Sequence, residues 1–216
     1  VEGIITNNGN ITMLCAYDAN PSFVYKNDMV GNKITVRRML IPGKVTYTGS
    51  ATKEKTVSGL TQENDKIRRM ASGEICTYTD GNKGSFDAIG IGNDVLASNI
   101  DGTAREISQT GTLVKADEII SVSLGKGWNF VSNPYPFNVN VDKLIVANED
   151  IEPSVWVRTF DFGSRKYCWI TRNTKLQTET GVESVRVVAP FQGIHVYAQA
   201  PTTLTFDPTA LSTSVG

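Results

Sequence analysis

Residues 127–136, GWNFVSNPYP, constrain the fold more tightly than any other stretch of the chain. Trp128, Phe130 and Val131 are strand formers, whereas Asn133-Pro134-Tyr135-Pro136 cannot continue a strand inside a sheet. The prolines hold their own backbone near polyproline geometry and drive the residues before them, Asn133 and Tyr135, into extended conformations. A strand therefore runs straight into a rigid turn set by Asn133, Pro134 and Pro136. Such a corner aims the chain and performs no chemistry of its own. Trp128 reads as a core residue. Tyr135, in a turn expected at one end of the molecule, reads as the aromatic best placed for exposure.

The rest of the chain reads as short strands separated by Gly, Asn and Pro turns. Asn32 to Leu40 alternates and is rich in β-branched residues, and Pro42-Gly43 turns it toward a second strand at Val45 to Gly49. Between Thr52 and Arg69 the composition becomes polar and charged, and Lys66 to Met70 is expected as a helical turn or a loop. Glu74 to Thr79 is an expected strand ahead of the turn Asp80 to Gly84, with further loop signals at Gly90 to Gly92 and Asn99 to Gly102. In the second half, strands are expected at Glu118 to Leu124, Val155 to Phe160, Tyr167 to Thr171, Val185 to Val188, Gly193 to Ala198 and Thr203 to Phe206. Gly163-Ser164-Arg165 reads as a hairpin turn, Val139 to Ala147 as a short helix or a strand, and Asn173 to Gly181 as a loop.

This density of strands, without a convincing amphipathic helix, argues for an all-β fold: a β-sandwich, jelly-roll-like, with short or no helices. Residues 1–30 read as an N-terminal edge-strand segment, 31–208 as the sandwich domain, open to division into two subregions near 118, and 209–216 as a linker or tail.

Charge narrows the partners. Lys and Arg number 21 against 22 Asp and Glu, a formal charge of −1, so no basic face for nucleic acid is expected. No apolar run approaches the roughly 20 residues of a membrane-spanning helix. The opening VEGIITNNGN lacks the basic and apolar regions of a signal peptide, and a start at Val1 fits a processed or excised segment. Cys15, Cys76 and Cys168 are widely spaced and form no metal-ligand motif; buried, inert thiols are the preferred reading over one bridge and a leftover thiol.

Catalytic chemistry finds little support. His195 is the only histidine, and alternation places it with Tyr197 on one face of its strand, opposite Ile194 and Val196. No nucleophile elbow accompanies it. Glu118, Asp142, Glu149, Asp150 and Asp161 are candidates for a glycosidase pair, but most sit beside turns, where a solvated carboxylate is ordinary. Asp80 to Asp87 superficially resembles a calcium loop, yet it lacks the spaced acidic ligands and Lys83 intrudes. Structural calcium there, or near Asn93-Asp94 and Asn99 to Gly102, stays a secondary reading, and no other cofactor is expected. Trp128, Tyr135, Trp156, Tyr167 and Trp169 are candidates for a sugar-stacking platform, with core packing the preferred reading. Trp156 and Trp169 lie on the two arms of an expected hairpin and are expected to form a cross-strand pair.

The motif GWNFVSNPYP, followed by Asp142-Lys143-Leu144, resembles the "GWNLVGNPYP…DW" segment of large secreted Bacteroidota proteins that often carry type IX secretion sorting domains. Ser154-Val155-Trp156-Val157 is similar to that family's "YVWD" strand, and Val188 to Val196 to its "IAPGQGFFV" segment. Thr203 to Phe206 corresponds to a terminal "TLTF" strand, and Lys33 to Gly49 to a preceding "VTVKR…PGKW" pair. The chain departs from the pattern at Ser132 and Phe191, each in place of Gly, and in lacking a Trp after Asp142. The resemblance implies a β-sandwich module of an exported, extracellular or cell-surface protein, and it supplies no catalytic residues.

The combined expectation is a non-catalytic structural or adhesive module, with filament or repeat assembly through edge strands at Val1 to Tyr17 and Thr203 to Phe206. A carbohydrate-binding module of a secreted hydrolase, with Tyr135, Trp156 and Trp169 as binding residues, is the alternative. A phage fibre or appendage domain fits the same pattern.

Overall fold

The structure, a computed structural model, describes residues 5–15, 23–24, 29–31, 33–40, 44–49, 52–53, 66–71, 74–78, 94–99, 105–161, 164, 166–175, 178–180 and 186–208. The fold is all-β and sandwich-like, with one short helix among these residues. No helix among them is long and apolar enough to cross a membrane. The Asp80 to Asp87 segment and the tail from Thr209 lie outside the described residues.

In the first half, β1 (Ile5–Asn7) pairs in parallel with β3 (Met29–Gly31), and β2 (Ile11–Cys15) runs parallel to β4 (Ile34–Leu40). Antiparallel β9 (Arg105–Gly111) completes a three-stranded sheet, β2-β4-β9. A second, antiparallel sheet has the order β5-β8-β6-β7, from β5 (Lys44–Gly49), β6 (Lys66–Ala71), β7 (Glu74–Tyr78) and β8 (Asp94–Asn99). Lys66 to Met70 is thus strand, against the expected helical turn or loop. Ile67, Arg68 and Arg69 are paired with β7 on one side and β8 on the other, and a central strand position overrides local charge.

The second half carries the better-formed layers. A five-stranded antiparallel sheet has the order β11-β17-β13-β14-β15, from β11 (Gly127–Ser132), β13 (Ser154–Asp161), β14 (Lys166–Asn173), β15 (Thr178–Thr180) and β17 (Gly193–Ala198). β15 falls inside the stretch expected as a loop. Its pairing with Thr171, Arg172 and Asn173 supplies the order that its polar sequence does not. The opposing layer is the pair β10 (Ile120–Leu124) and β18 (Thr202–Phe206), joined by α1 (Val141–Val146). α1 follows directly on the short β12 (Val139–Asn140), which pairs with β16 (Val187–Val188), so Val139 to Ala147 holds both a strand and a helix. Asn140 caps the helix by accepting from the Lys143 N–H at 3.0 Å.

Between the layers, Val131, Val155, Val157, Ile170, Ile194 and Val196 meet Val122, Leu124, Leu204 and Phe206 and the helix residues Val141, Leu144 and Ile145 in one aliphatic-rich core. The chain crosses between layers at Gly125-Lys126-Gly127. Gly127 has φ 98°, a conformation that glycine adopts without steric cost. The Asn129 side chain closes this corner, accepting from the Gly125 N–H at 3.0 Å and donating to the Gly125 and Gly127 carbonyls at 2.8 and 2.9 Å.

A second core lies in the first half, with Met13, Cys15, Ile34, Val36, Leu113 and Phe191. Cys15 is buried and in no disulfide, and burial pushes its thiol above the usual range although nearby Arg38 pulls it down. Phe191 comes from far along the chain and sits at φ 58°, left-handed backbone that a residue with a Cβ occupies at a cost of about 1 kcal/mol or more. Its ring is buried, its carbonyl accepts from the Gly49 N–H at 3.0 Å, and the neighbouring Pro190 carbonyl accepts from Arg38 at 3.0 Å. The turn before β17 therefore clasps the first-half sheets to the second half.

Candidate functional site

Register decides which residues of the five-stranded sheet face outward. Trp128 pairs with Tyr197 and Phe130 with His195 across β11 and β17; His195 pairs with Trp156 across β17 and β13. Side chains alternate along each strand, so these residues share the face opposite the aliphatic core. Trp169 joins them from β14, where it pairs with Arg158. All three tryptophans of the chain thus stand on one outward face. The expectation that they pack the core is overturned for Trp128 and Trp169, which are 44 % and 45 % exposed, while Trp156 and Tyr197 are half-buried.

The rings interlock. Trp128 meets Trp156 edge to face at a centroid distance of 4.6 Å and Tyr197 at 5.3 Å. His195 lies 3.6 Å from Phe130, 4.6 Å from Trp169 and 6.4 Å from Trp128, centroid to centroid. β13 separates β14 from β17, so the Trp169 indole lies across β13 to reach His195. Trp156 and Trp169 are therefore diagonal neighbours across the β13–β14 pair: Trp156 is in register with Thr171 and Trp169 with Arg158.

Exposure changes along the strands for a structural reason. Phe130 and His195 are nearer the Ser132–Gly193 end of the β11–β17 ladder, next to which Gly49 of β5 bonds to Phe191; β5, β6 and β8 all come against these two strands. His195 is 9 % exposed there. Trp128 and Tyr197 lie toward the other end. The described side chains of the face are otherwise neutral. Thr171 stands beside Trp156, and the Asn173 amide donates to the Ser154 hydroxyl at 2.8 Å.

The NPYP corner has a different role from the one its position suggested. Tyr135 is 0 % exposed, which removes it as a surface contact. Its ring stacks on Phe137 with centroids 4.8 Å apart, and its hydroxyl proton is shared between the carbonyls of Glu118 at 2.7 Å and Phe206 at 2.6 Å. Burial drives its ionisation well above the ordinary phenol range. Asn133 is equally buried. Its side-chain oxygen accepts from the Tyr135 N–H at 2.9 Å, and its amide donates toward Phe137, Val188 and Ala189 carbonyls at 2.7, 3.1 and 3.0 Å. Pro134 and Pro136 are buried too, and the Pro136 carbonyl accepts from the Phe23 N–H at 2.6 Å. The turn-setting assignment of Asn133, Pro134 and Pro136 describes a buried latch between β11, β18 and the first half.

The carboxylates considered for hydrolysis go to separate tasks. Glu118 pairs with Lys53 at 2.6 Å, Asp150 accepts from the Thr202 hydroxyl at 3.1 Å, and Glu149 is exposed. Asp142 is held by Arg172 through two contacts of 2.8 Å, and this bonding, reinforced by the Arg172 and Arg186 charges, keeps its carboxyl below the usual range. Asp161 ends β13, and its side chain lies outside the described ones, as do those of Cys76, Tyr167 and Cys168. Among the described residues, no three His, Cys, Asp or Glu side chains gather as a metal site would require.

One of the expected edges is occupied. The Asn148 side chain accepts from the Thr205 N–H at 2.7 Å and donates to the Thr205 carbonyl at 3.0 Å, covering the side of β18 turned away from β10. β2 stands at the end of its sheet. Comparison of the chain with protein-family models, with curated proteins and with solved structures yields no match.

Proposed function

We propose that this chain is a non-catalytic adhesive module of an exported cell-surface protein, and that the outward aromatic face of its five-stranded sheet contacts carbohydrate. The observation that carries the reading is the placement of Trp128 and Trp169, each nearly half exposed, on either side of Trp156 and His195. Contiguous exposed apolar surface of this kind marks interaction sites. A sugar ring has a C–H face that is apolar and a rim of hydroxyls that is not. A flat indole covers the first and leaves the second to water or to neighbouring groups such as Thr171. The surface setting rests on the GWNFVSNPYP resemblance.

The test is a glycan array probed with the chain and with a Trp128→Ala/Trp169→Ala variant of unchanged circular dichroism. Binding by the first and not by the second is the expected result. No binding by either would sink the reading.

A second reading, assembly through an edge strand, is favoured by the terminal position of β2 in its sheet. Sedimentation at rising concentration tests it: a chain that remains monomeric throughout excludes it.

A further inference from the structure

Resting on the carbohydrate reading above, we propose that the ligand of the aromatic face is the interior of an uncharged, extended glycan chain that lies across the strands and spans several sugar units. Three observations lead there. The rings run diagonally across the strands: Trp128 on β11, then Tyr197 and the buried His195 on β17, Trp156 on β13 and Trp169 on β14, which is level with the Ser132–Gly193 end. Three strand spacings of about 4.8 Å separate the backbones of β11 and β14, a distance beyond the reach of one sugar ring. One monosaccharide therefore covers one exposed indole, and a continuous chain is needed to cover both.

Polarity supplies the second observation. The described side chains on this face are Trp128, Phe130, Ser154, Trp156, Trp169, Thr171, Asn173, His195 and Tyr197, none of them charged, and the register adds a single cationic position, Arg158 opposite Trp169. Anionic polysaccharides are bound through paired cations, and one arginine position does not make a pair. Neutral hydroxyls are matched by the half-buried Thr171 and Asn173.

The third observation is segregation. Inward positions of the same strands carry the aliphatic residues Val131, Val155, Val157, Ile170, Ile194 and Val196. The core of this sheet is filled without its tryptophans, so their outward placement is not a consequence of packing the interior. Two weakly held indole subsites on one rigid sheet cooperate when a single chain links them, because the second contact forms at high effective concentration.

The test pairs retention with chain length. The chain would be sedimented with the insoluble or gel-cast neutral polymers cellulose, chitin, xylan and mannan, and with the anionic polymers polygalacturonate and alginate. Oligosaccharides of one to six units of the retained polymer would then compete for the bound protein. The expected result is retention on a neutral polymer and competition by the hexasaccharide at concentrations where the monosaccharide has no effect. Trp128→Ala and Trp169→Ala would each weaken retention about tenfold or more, and Trp128→Phe would recover part of it. Preferential retention on polygalacturonate or alginate, or competition by the monosaccharide equal to the hexasaccharide, overturns this inference and leaves the carbohydrate reading standing. Retention on no polymer and no glycan overturns both. Self-association abolished by the same substitutions, without retention on any polymer, would assign the face to a second copy of the chain and also overturns both.

Discussion

The hydroxyl of Tyr135 reaches the main-chain carbonyl of Phe206 at 2.6 Å, joining the corner after β11 to the last residue of β18. The contact links the two layers of the second half at a point where the side chain is wholly enclosed. Tyr135→Phe keeps the ring and its stacking on Phe137 but removes the hydroxyl that bonds two main-chain carbonyls, so a loss of about 1–3 kcal/mol is expected in urea unfolding.

The same tyrosine sets an alkaline limit. Its folded ionisation lies above that of the unfolded chain, so the folded state holds the proton more tightly. The stabilisation is complete below about pH 10 and declines as pH rises toward the folded value. Absorbance of tyrosinate should show a fraction that ionises only together with unfolding, and this fraction should be missing from Tyr135→Phe.

Phe191 offers a test of backbone strain. Glycine in place of a buried residue ordinarily costs more than alanine. Here the left-handed backbone reverses the order. Both substitutions lose the ring from the first-half core, about 3–5 kcal/mol for Phe→Ala. Phe191→Gly alone relieves the conformation, and it should exceed Phe191→Ala in stability by about 1 kcal/mol. The reverse order would show that the turn is not left-handed in solution.

Asp142 and Arg172 tie α1 to β14 and give an acid limit. The folded carboxyl ionises below the unfolded one, so the contribution is present above about pH 4 and fades as pH falls through the folded value. Asp142→Asn should flatten the pH dependence of the melting temperature in this range. The loss at neutral pH should stay within about 1 kcal/mol, because the carboxylate is substantially exposed.

The two faces of the five-stranded sheet should separate cleanly in denaturation. Ile194→Ala opens the aliphatic core and is expected to cost about 2–5 kcal/mol. Trp169→Ala, on the outward face, should cost about 1 kcal/mol at most. Comparable losses at both positions would mean that the aromatic face is itself an interior.

Much of the strand map was legible in the sequence because β-branched runs alternate with Gly, Asn and Pro turns. The expected strand Gly193 to Ala198 is β17 residue for residue. The direction of each face was harder to read. In β11 the inward residues are Asn129 and Val131, and the outward ones are Trp128 and Phe130, so the more hydrophobic set points away from the core. Asn129 is inside because it closes the Gly125–Gly127 corner, a task that hydrophobicity does not register. Tyr135 was misplaced for a related reason. Its acceptors, Glu118 and Phe206, are 17 and 71 residues away, and no local pattern announces main-chain partners so distant. The outward tryptophans were recognisable as residue types suited to a platform. Only the register of β13 and β14 shows that Trp156 and Trp169 are diagonal and that Trp128 joins them.

The strand order β11-β17-β13-β14 draws the aromatic face from positions as far apart in the chain as 128 and 197. No isolated hairpin contains it. A slip of β14 by a single residue would turn Trp169 toward the aliphatic layer and Ile170 toward water. Ligand capture by this surface is therefore a certificate of correct assembly, since a misregistered sheet would keep its strands and lose its grip.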